Sequence, residues 1–493
     1  MARDLYIGLD LGTTGIKAGL FDATGRTVAT SRREIEMDAP APGHAEFDAD
    51  AYVGEAFDAL VELLCSTDVN AEAVRAIGLS SQAQTFVILD EHGVPIRPAI
   101  SWLDVRAGRQ AEELLPIAEA GRGEPLTAIS SAPKLLWLRR NEPESMARTA
   151  AVHLLPDYLV YRLTGRAVSD PIIAASTGAF DRWTGGWVSS VLEACGLTDE
   201  MMPEVAQPGE PVGPLTGEAA EKLGLPEEVA VVVGTNDQYA GALGAGNAFP
   251  GCVTVALGTA LAIVATSDSR DRVPSGVGLS PHPAGGDNAP LYALLAFAKT
   301  SGVLLRWFRE RFAPTLSYDE LFADAAAVSV GADGLTCIPH FSGTATPDFN
   351  PEVRGAFAGL TLSHGPAHLF RAILESLAFT VQENLELLGR AVPLTPIRAI
   401  GGGAQSDLWL QMMADATGFA IERPRTREAA CLGAAALAMV GAGRFDSVAQ
   451  AVGELFQLDV RFEPNTKLKA DYDAARARYH HLARVTYPAG EPV

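Results

Sequence analysis

The sequence predicts a duplicated α/β fold: two domains of mixed sheet and helix built on one plan. Three observations lead there. At 493 residues the chain exceeds what a single core ordinarily holds. The string Ile7-Gly-Leu-Asp-Leu-Gly-Thr13 returns half a chain later as Val253-Thr-Val-Ala-Leu-Gly-Thr259. A second echo pairs Val74-Arg-Ala-Ile-Gly78 with Ile397-Arg-Ala-Ile-Gly401, one in each half. Duplication explains both echoes, and chance likeness of short apolar–glycine strings is the competing reading.

The opening reads as a β-meander, Leu5–Leu11, Ile16–Phe21 and Arg26–Ile35. Its connections, Gly12-Thr-Thr-Gly15 and Asp22-Ala-Thr-Gly25, are rich in turn formers. The second copy repeats strand, Leu-Gly-Thr turn and strand, with Leu261–Thr266 as the return. The turn-rich segment Gly246–Gly251 just before it sets the expected domains at 1–247 and 248–493. From His368 to Leu388, the residues Leu369, Ile373, Leu377, Val381, Leu385 and Leu388 form one stripe of an amphipathic or buried helix. Ser406 to Thr417 reads as another helix, with Ser406 as N-cap and Gly418 as stop.

Composition narrows the function classes. Apolar residues make up 48% and charged residues 20%, a globular balance. The five cysteines are scattered, with neither metal nor disulfide spacing, which predicts a reducing cytoplasmic setting. The N-terminus enters a strand directly without signal-peptide order, and no uninterrupted apolar run is long enough to span a bilayer. A net charge of −22 argues against nucleic-acid or anionic-membrane partners. It leaves room for a nucleotide, whose phosphates glycine turns and helix N-termini hold through backbone N–H groups.

Four segments carry candidate chemistry. Asp10, near the end of a buried strand, precedes the turn Gly12-Thr13-Thr14. One reading has Asp10 hold Mg²⁺ through water while the turn approaches phosphates; the other is a threonine-capped hairpin. The second copy carries Ala256 in place of Asp10 but keeps Gly258-Thr259 as a second phosphate-facing turn, as one active site served by two copies requires. The aliphatic run Val229–Val233 ends in Gly-Thr-Asn-Asp237. A carboxylate there suits a base that takes the proton of an attacking hydroxyl, and it equally suits a cap of the following helix. Ile400-Gly-Gly-Gly-Ala-Gln-Ser406 is a strand, a glycine run and a helix start, which fits either a nucleotide or tight packing.

Those four segments in that order resemble the FGGY carbohydrate kinases over essentially the whole chain. Two longer strings strengthen the likeness: Ser131-Ala-Pro-Lys-Leu-Leu-Trp137, and Gly355-Ala-Phe-Ala-Gly-Leu360 followed by His368-Leu369 and Ala372-Ile-Leu-Glu375. The resemblance implies a pair of duplicated ribonuclease-H-like (actin-like ATPase) domains with an interdomain catalytic cleft, ATP and Mg²⁺ as cofactors, and a small sugar or polyol as substrate. It implies Asp237 as catalytic base and Asp10 as the metal-associated carboxylate. Gly12, Thr13, Thr14, Gly258, Thr259, Gly402, Gly403 and Ser406 would bind the nucleotide. Gln82, Gln84, Trp102, Asp104 and Gln238 would bind the sugar, and a homodimer would be in keeping with the family.

Within the family the overall pattern is nearest to the xylulose-specific branch, which implies a ketopentose. The substrate loops depart from it. Gln82-Ala-Gln-Thr85 stands where that branch has Gln-Met-His-Gly, and Asp237-Gln238 stands where it has Asp-Asn. Trp102-Leu-Asp-Val-Arg106 has Leu103 where the family has Asn, and Ser342-Gly-Thr-Ala345 lacks the family's charge pair. Alternatives are therefore a linear polyol or another sugar as acceptor, a sugar-sensing homologue without turnover, or a non-catalytic ATP-dependent switch on the same fold.

Overall fold

The computed structural model describes residues 4–120, 126–286 and 289–487. They form two compact units. The first comprises the described residues up to Gly246 together with Pro283–Gly285 and Glu428–Leu455; the second comprises the remainder. The chain passes from one to the other at Gly246–Asn247, inside the expected turn-rich segment. Glu428–Leu455, which a single division near 247 assigns to the second half, groups with the first unit. No helix among the described residues is long and apolar enough to cross a membrane.

The sheet of the first unit is built from β1 (Leu5–Leu11), β2 (Gly15–Asp22), β3 (Thr27–Glu34), β4 (Val74–Ser81), β5 (Pro211–Pro214), β6 (Ala230–Val232) and β7 (Thr235–Asn236). The order is β5-β6-β4-β1-β2-β3, with β7 pairing farther along β4. β1 is central and buried on both faces apart from Asp10, as its near-continuous apolar run requires. β3, at the edge, carries Arg32, Arg33 and Glu34, charges that discourage further strand addition. The three meander strands fall within one residue of the ranges expected from sequence.

Helix Ala49–Cys65, N-capped by Asp48, contacts β2 and β3. Helix Ala429–Gly441 packs on β1 and β4 and on helix Asp237–Gly244. Its sequence is mostly alanine and glycine, and at Gly8 and Gly78 its backbone lies directly against the strands. A Cβ on Gly8 would stand 1.8 Å from the Cys431 carbonyl oxygen, and one on Gly78 would stand 2.0 Å from that of Ala434. A second apolar cluster, including Phe86, Ile100, Leu135, Leu138 and Leu192, lies under the small sheet of Glu46–Phe47, Ala99–Ile100, Phe86–Leu89 and Ala151–Leu154.

The second unit holds β8 (Val253–Leu257), β9 (Leu261–Ser267), β10 (Gly278–Pro281), β11 (Tyr292–Ala298), β12 (Ile397–Ile400), β13 (Ile421–Pro424) and β14 (Leu458–Phe462). From β11 the order is β11-β9-β8-β12-β13-β14, paired antiparallel, antiparallel, parallel, parallel, antiparallel. β3-β2-β1-β4-β6-β5 gives the same succession. Both sequence echoes therefore fall on equivalent strands, the first on β1 and β8, the second on β4 and β12. The repeated glycine serves differently in each: Gly78 pairs with Gly8 inside the sheet, whereas Gly401 lies just past β12 at φ +89°.

The expected long helix runs from Pro366, two residues before His368, to Leu388. It is enclosed for most of its length, Phe370 to Val381 being buried without a break. Arg371 and Glu375 are inside with it; they pair at 2.8 Å, and Glu375 also accepts from the Gly331 amide.

Candidate functional site

The hairpin of β1 and β2 sets the first part of the site. Closing the turn with Leu11 opposite Ile16 places Lys17 opposite Asp10, while the parallel pairing with β4 places Ser80 on the other side. The Ser80 hydroxyl donates to Asp10 Oδ1 at 2.7 Å. Lys17 Nζ donates at 2.8 Å to Glu428, the residue that precedes helix Ala429–Gly441. Burial pushes the Asp10 carboxyl above its usual range and Glu428 adds to this, while Ser80 and Lys17 pull it back. Burial opposes the Lys17 charge, but Glu428 prevails and raises its pKa.

The two threonines of the turn behave differently. Thr13 is half-buried; its hydroxyl accepts from the Trp102 indole at 2.8 Å and lies 3.4 Å from Gln82 Oε1. Thr14 is exposed. The Gly12 carbonyl is held by the Tyr52 hydroxyl at 2.8 Å and by Gln82 Nε2 at 3.1 Å.

Asp237 arrives beside Asp10 through β7, whose Thr235 pairs with Ser80 on β4. Asp237 is the first residue of helix Asp237–Gly244, yet the N-cap is Asn236, whose side chain accepts from the Gln238 amide at 3.0 Å. The capping role that sequence allowed for Asp237 is thus taken by its neighbour. Burial and then the Asp10 charge push the Asp237 carboxyl up to about 7, against hydrogen bonding from Gln238 and Asn236.

The residues expected around a sugar divide by what they touch. Gln82 is buried and accepts from the Thr85 hydroxyl at 3.0 Å, and that hydroxyl in turn accepts from the Trp102 amide at 3.1 Å. Gln82, Thr85, Trp102 and Thr13 form one connected network. Asp104 is wholly buried, its oxygens taken by Arg106 and by the Ala45 amide at 2.7 Å. Burial alone would raise its pKa, but the Arg106 guanidinium holds it below the ordinary range. Asp104 is thus placed to brace the loop. Gln84 and Gln238 are half-buried.

In the second unit, Gly258 and Thr259 form the exposed turn between β8 and β9. The Gly258 carbonyl accepts from Gly302 N at 2.8 Å, and that of Thr259 from Ser301 N at 3.2 Å and Val303 N at 3.1 Å. This seats helix Gly302–Phe312 against the turn. A Cβ on Gly302 would stand 2.7 Å from the Gly258 oxygen, so the approach requires glycine. The three glycines of the Gly401–Gly403 run differ in what holds them there. Gly401 takes φ +89°, Gly403 leaves room for the Trp409 ring, which a Cβ would meet at 2.4 Å, and Gly402 is exposed with nothing within 4 Å of a Cβ. Ser406 caps helix Asp407–Thr417 by accepting from Trp409 N at 3.3 Å, and Gly418 stops it at φ +75°, both as expected.

Sequence reasoning missed Lys17, Ser80, Tyr52, Glu428, Gly302 and the buried Lys134. Lys17 could have been found by counting across the hairpin. Lys134 donates to the Ser101 carbonyl at 2.8 Å, and burial lowers its pKa to about 7. Nothing in the spacing pointed to the others. Among the described residues no three metal-ligating side chains converge. A pair of carboxylates, with phosphate oxygens and waters completing the shell, suits a hard cation such as Mg²⁺.

The model of the FGGY family of carbohydrate kinases, N-terminal domain, matches residues 5–244, and that of the C-terminal domain matches residues 253–442. The chain is 30% identical to a xylulose kinase of Escherichia coli, covering 98% of this chain and 99% of that protein. It is also 30% identical to an autoinducer-2 kinase of Yersinia enterocolitica, covering 97% and 93%. Among solved structures, a xylulose kinase from Brucella ovis superposes with a TM-score of 0.88 at 31% identity, covering 98% and 99%. A gluconate kinase from Lactobacillus acidophilus shares the fold with a TM-score of 0.87 at 24% identity, covering 99% of each chain.

Proposed function

The chain belongs to the FGGY family of carbohydrate kinases, and from that premise we propose that it transfers the γ-phosphoryl group of ATP to a hydroxyl of a small ketose, a ketopentose of the xylulose kind. The observation that carries the assignment of roles is Asp237. It is released from capping by Asn236, stands beside Asp10, and has a carboxyl poised at about 7. A base with that pKa accepts a hydroxyl proton near neutral pH and releases it afterwards. As the substrate oxygen bonds to phosphorus, its proton passes to Asp237 and the β–γ bridging oxygen leaves with ADP.

Asp10 fits a Mg²⁺ ion through water, and the ion supplies charge neutralisation at the phosphates when bound. Lys17 brings a positive charge to the same end of the hairpin. Thr14, Gly258, Thr259 and Gly402 are the exposed members of the expected nucleotide set. Thr13, Gly403 and Ser406 support them from inside, through Trp102, Trp409 and the helix cap respectively. Gln82 and Asp104 act similarly on the sugar side, leaving Gln84, Trp102 and Gln238 as the contacts. The absence of a histidine in Gln82–Thr85, together with Asp237-Gln238, favours a linear polyol as the second reading.

ADP release measured with D-xylulose, L-xylulose, D-ribulose, L-ribulose, glycerol, erythritol, ribitol, xylitol and gluconate separates these readings. A dominant response to one ketopentose is expected. A dominant response to a polyol replaces the first reading with the second, and tight sugar binding without ADP release shows a sensor. The pH profile tests the base itself. Only ionised Asp237 accepts a proton, so kcat/KM for the acceptor rises about tenfold per unit up to about pH 7 and then levels. Mg²⁺ offsets the Asp10 charge that helps raise the Asp237 pKa, so more Mg²⁺ moves the limb to lower pH. A profile flat from pH 5.5 to 8 would remove Asp237 from the role.

A further inference from the structure

Gln84 is one of the few residues other than glycine with a left-handed backbone, at φ +64°. A side chain at such an angle is strained and persists where its surroundings over-determine it. Here two serines do so. The Gln84 N–H donates to the Ser176 hydroxyl at 3.2 Å, and that hydroxyl donates to the Ile173 carbonyl at 2.6 Å, which fixes the direction of its lone pairs. The Gln84 carbonyl accepts from the buried Ser131 hydroxyl at 3.0 Å. The backbone of this one residue is therefore gripped at both its donor and its acceptor by hydroxyls from distant parts of the chain. Its neighbours are fixed by other means, Gln82 and Thr85 through their own side chains. The Gln84 carboxamide is different: it makes no hydrogen bond to any described residue, and the residue as a whole is half-buried in the segment that leads to Trp102.

We propose that Ser131 and Ser176 are positioning residues that lock the backbone of Gln84 in the left-handed conformation, so that its free carboxamide is aimed at a hydroxyl or carbonyl of the sugar chain and sets which sugar is accepted. The proposal rests on the kinase reading above. A carboxamide both donates and accepts, which matches a polyhydroxylated chain, and a pre-set carboxamide discriminates epimers because a misplaced hydroxyl leaves it unpaired. Loss of either serine lets the backbone relax toward the common region and swings the carboxamide away. Displacements of that size at a positioning group carry large kinetic effects.

The test is a double-mutant cycle on the full chain with the best sugar from the panel and its nearest epimer. Ser176→Ala and Ser131→Ala are each expected to raise the sugar KM about tenfold. The KM for ATP and the melting temperature should stay close to wild type, and selectivity between the two sugars should fall at least about fivefold. In a Gln84→Gly background, which accepts the left-handed angle but lacks the carboxamide, Ser176→Ala should add nothing. An unchanged sugar KM in both serine variants overturns the proposal. So does an equal loss with and without the Gln84 side chain, which is the mark of a merely structural serine.

Should Ser176→Ala fail to fold, Ser131→Ala carries the same comparison. Wild-type protein that turns over no sugar removes the kinase reading, and a ligand-free measurement then judges the clamp alone. Faster deuterium exchange at the Gln84 amide in Ser176→Ala, or in Ser131→Ala, supports it, and an unaltered rate overturns it.

Discussion

Replacing Asp237 by Asn is expected to lower kcat by at least about a hundredfold while the sugar KM stays within about threefold. The asymmetry follows from what the carboxylate does. An amide of the same shape still fills the first turn of helix Asp237–Gly244 and can still hydrogen-bond a hydroxyl, so the ground state is little affected. It cannot take the proton as the oxygen attacks phosphorus. Folding should not suffer, because the cap is Asn236 and the substitution removes a carboxyl whose charge burial and the nearby Asp10 disfavour. A melting temperature at or above wild type, with turnover nearly abolished, is the expected combination. Near-normal turnover in this variant would remove Asp237 as the base, and a large rise in KM alone would make it a binding group.

Gly8→Ala is expected to cost about 3 kcal/mol of stability, at the upper end of what overpacking does, and to lower the melting temperature by roughly 6–12 °C. The added methyl carbon would lie 1.8 Å from the Cys431 carbonyl oxygen, a separation no real Cβ adopts. The obstacle is helix backbone, so no side chain can rotate out of the way. The helix must move as a whole, and it is wedged from the other side as well. A Cβ on Gly433 would stand 1.9 Å from the Ala240 carbonyl oxygen, and one on Gly244 would stand 1.9 Å from that of Ala429. Gly54→Ala provides the contrast. Gly54 lies inside helix Ala49–Cys65 with nothing within 4 Å of its Cβ position, so alanine there should add about 0.5–1 kcal/mol. Thermal melts of the two variants side by side test the account, and equal behaviour would contradict it.

How much was legible in the sequence depended on the range of the interactions involved. The meander could be read to within a residue because its turns are local chemistry, Gly12-Thr-Thr-Gly15 and Asp22-Ala-Thr-Gly25 forcing reversals between apolar runs. The cap at Ser406 and the stop at Gly418 were legible for the same reason. The duplication was legible because equivalent strands kept similar strings. Helix Ala429–Gly441 shows where such reading stops. Apolar or small on every side, it has no distinct stripe, so nothing in the string says which face meets a partner, or that the partners are β1 and β4, near the other end of the chain.

The site was legible in its parts more than in its division of labour. Asp10 and Asp237 were both marked by a carboxylate after a buried strand, and their proximity follows from both strands flanking β4. Two adjacent threonines gave no sign that Thr13 turns inward to Trp102 while Thr14 faces out. Nor did three consecutive glycines reveal that Gly401 and Gly403 are required by the packing and Gly402 is not. Asp104 was placed near the sugar only because the family resemblance implied it; that Arg106, two residues on in an irregular loop, folds back onto it is something no periodicity forecasts.

The return of Glu428–Leu455 to the first unit has a consequence for how the protein is made. A ribosome that has delivered everything up to Gly246 has supplied all seven strands of the first sheet but not the helix that covers Gly8 and Gly78. That face waits through the synthesis of nearly two hundred further residues, roughly ten to forty seconds at ordinary rates of elongation. During that interval the nascent first half is an incomplete core with an open apolar surface, the kind of surface that chaperones bind. The two halves of the duplication are therefore not separable products: the earlier one is finished only by a segment encoded almost at the end of the later one.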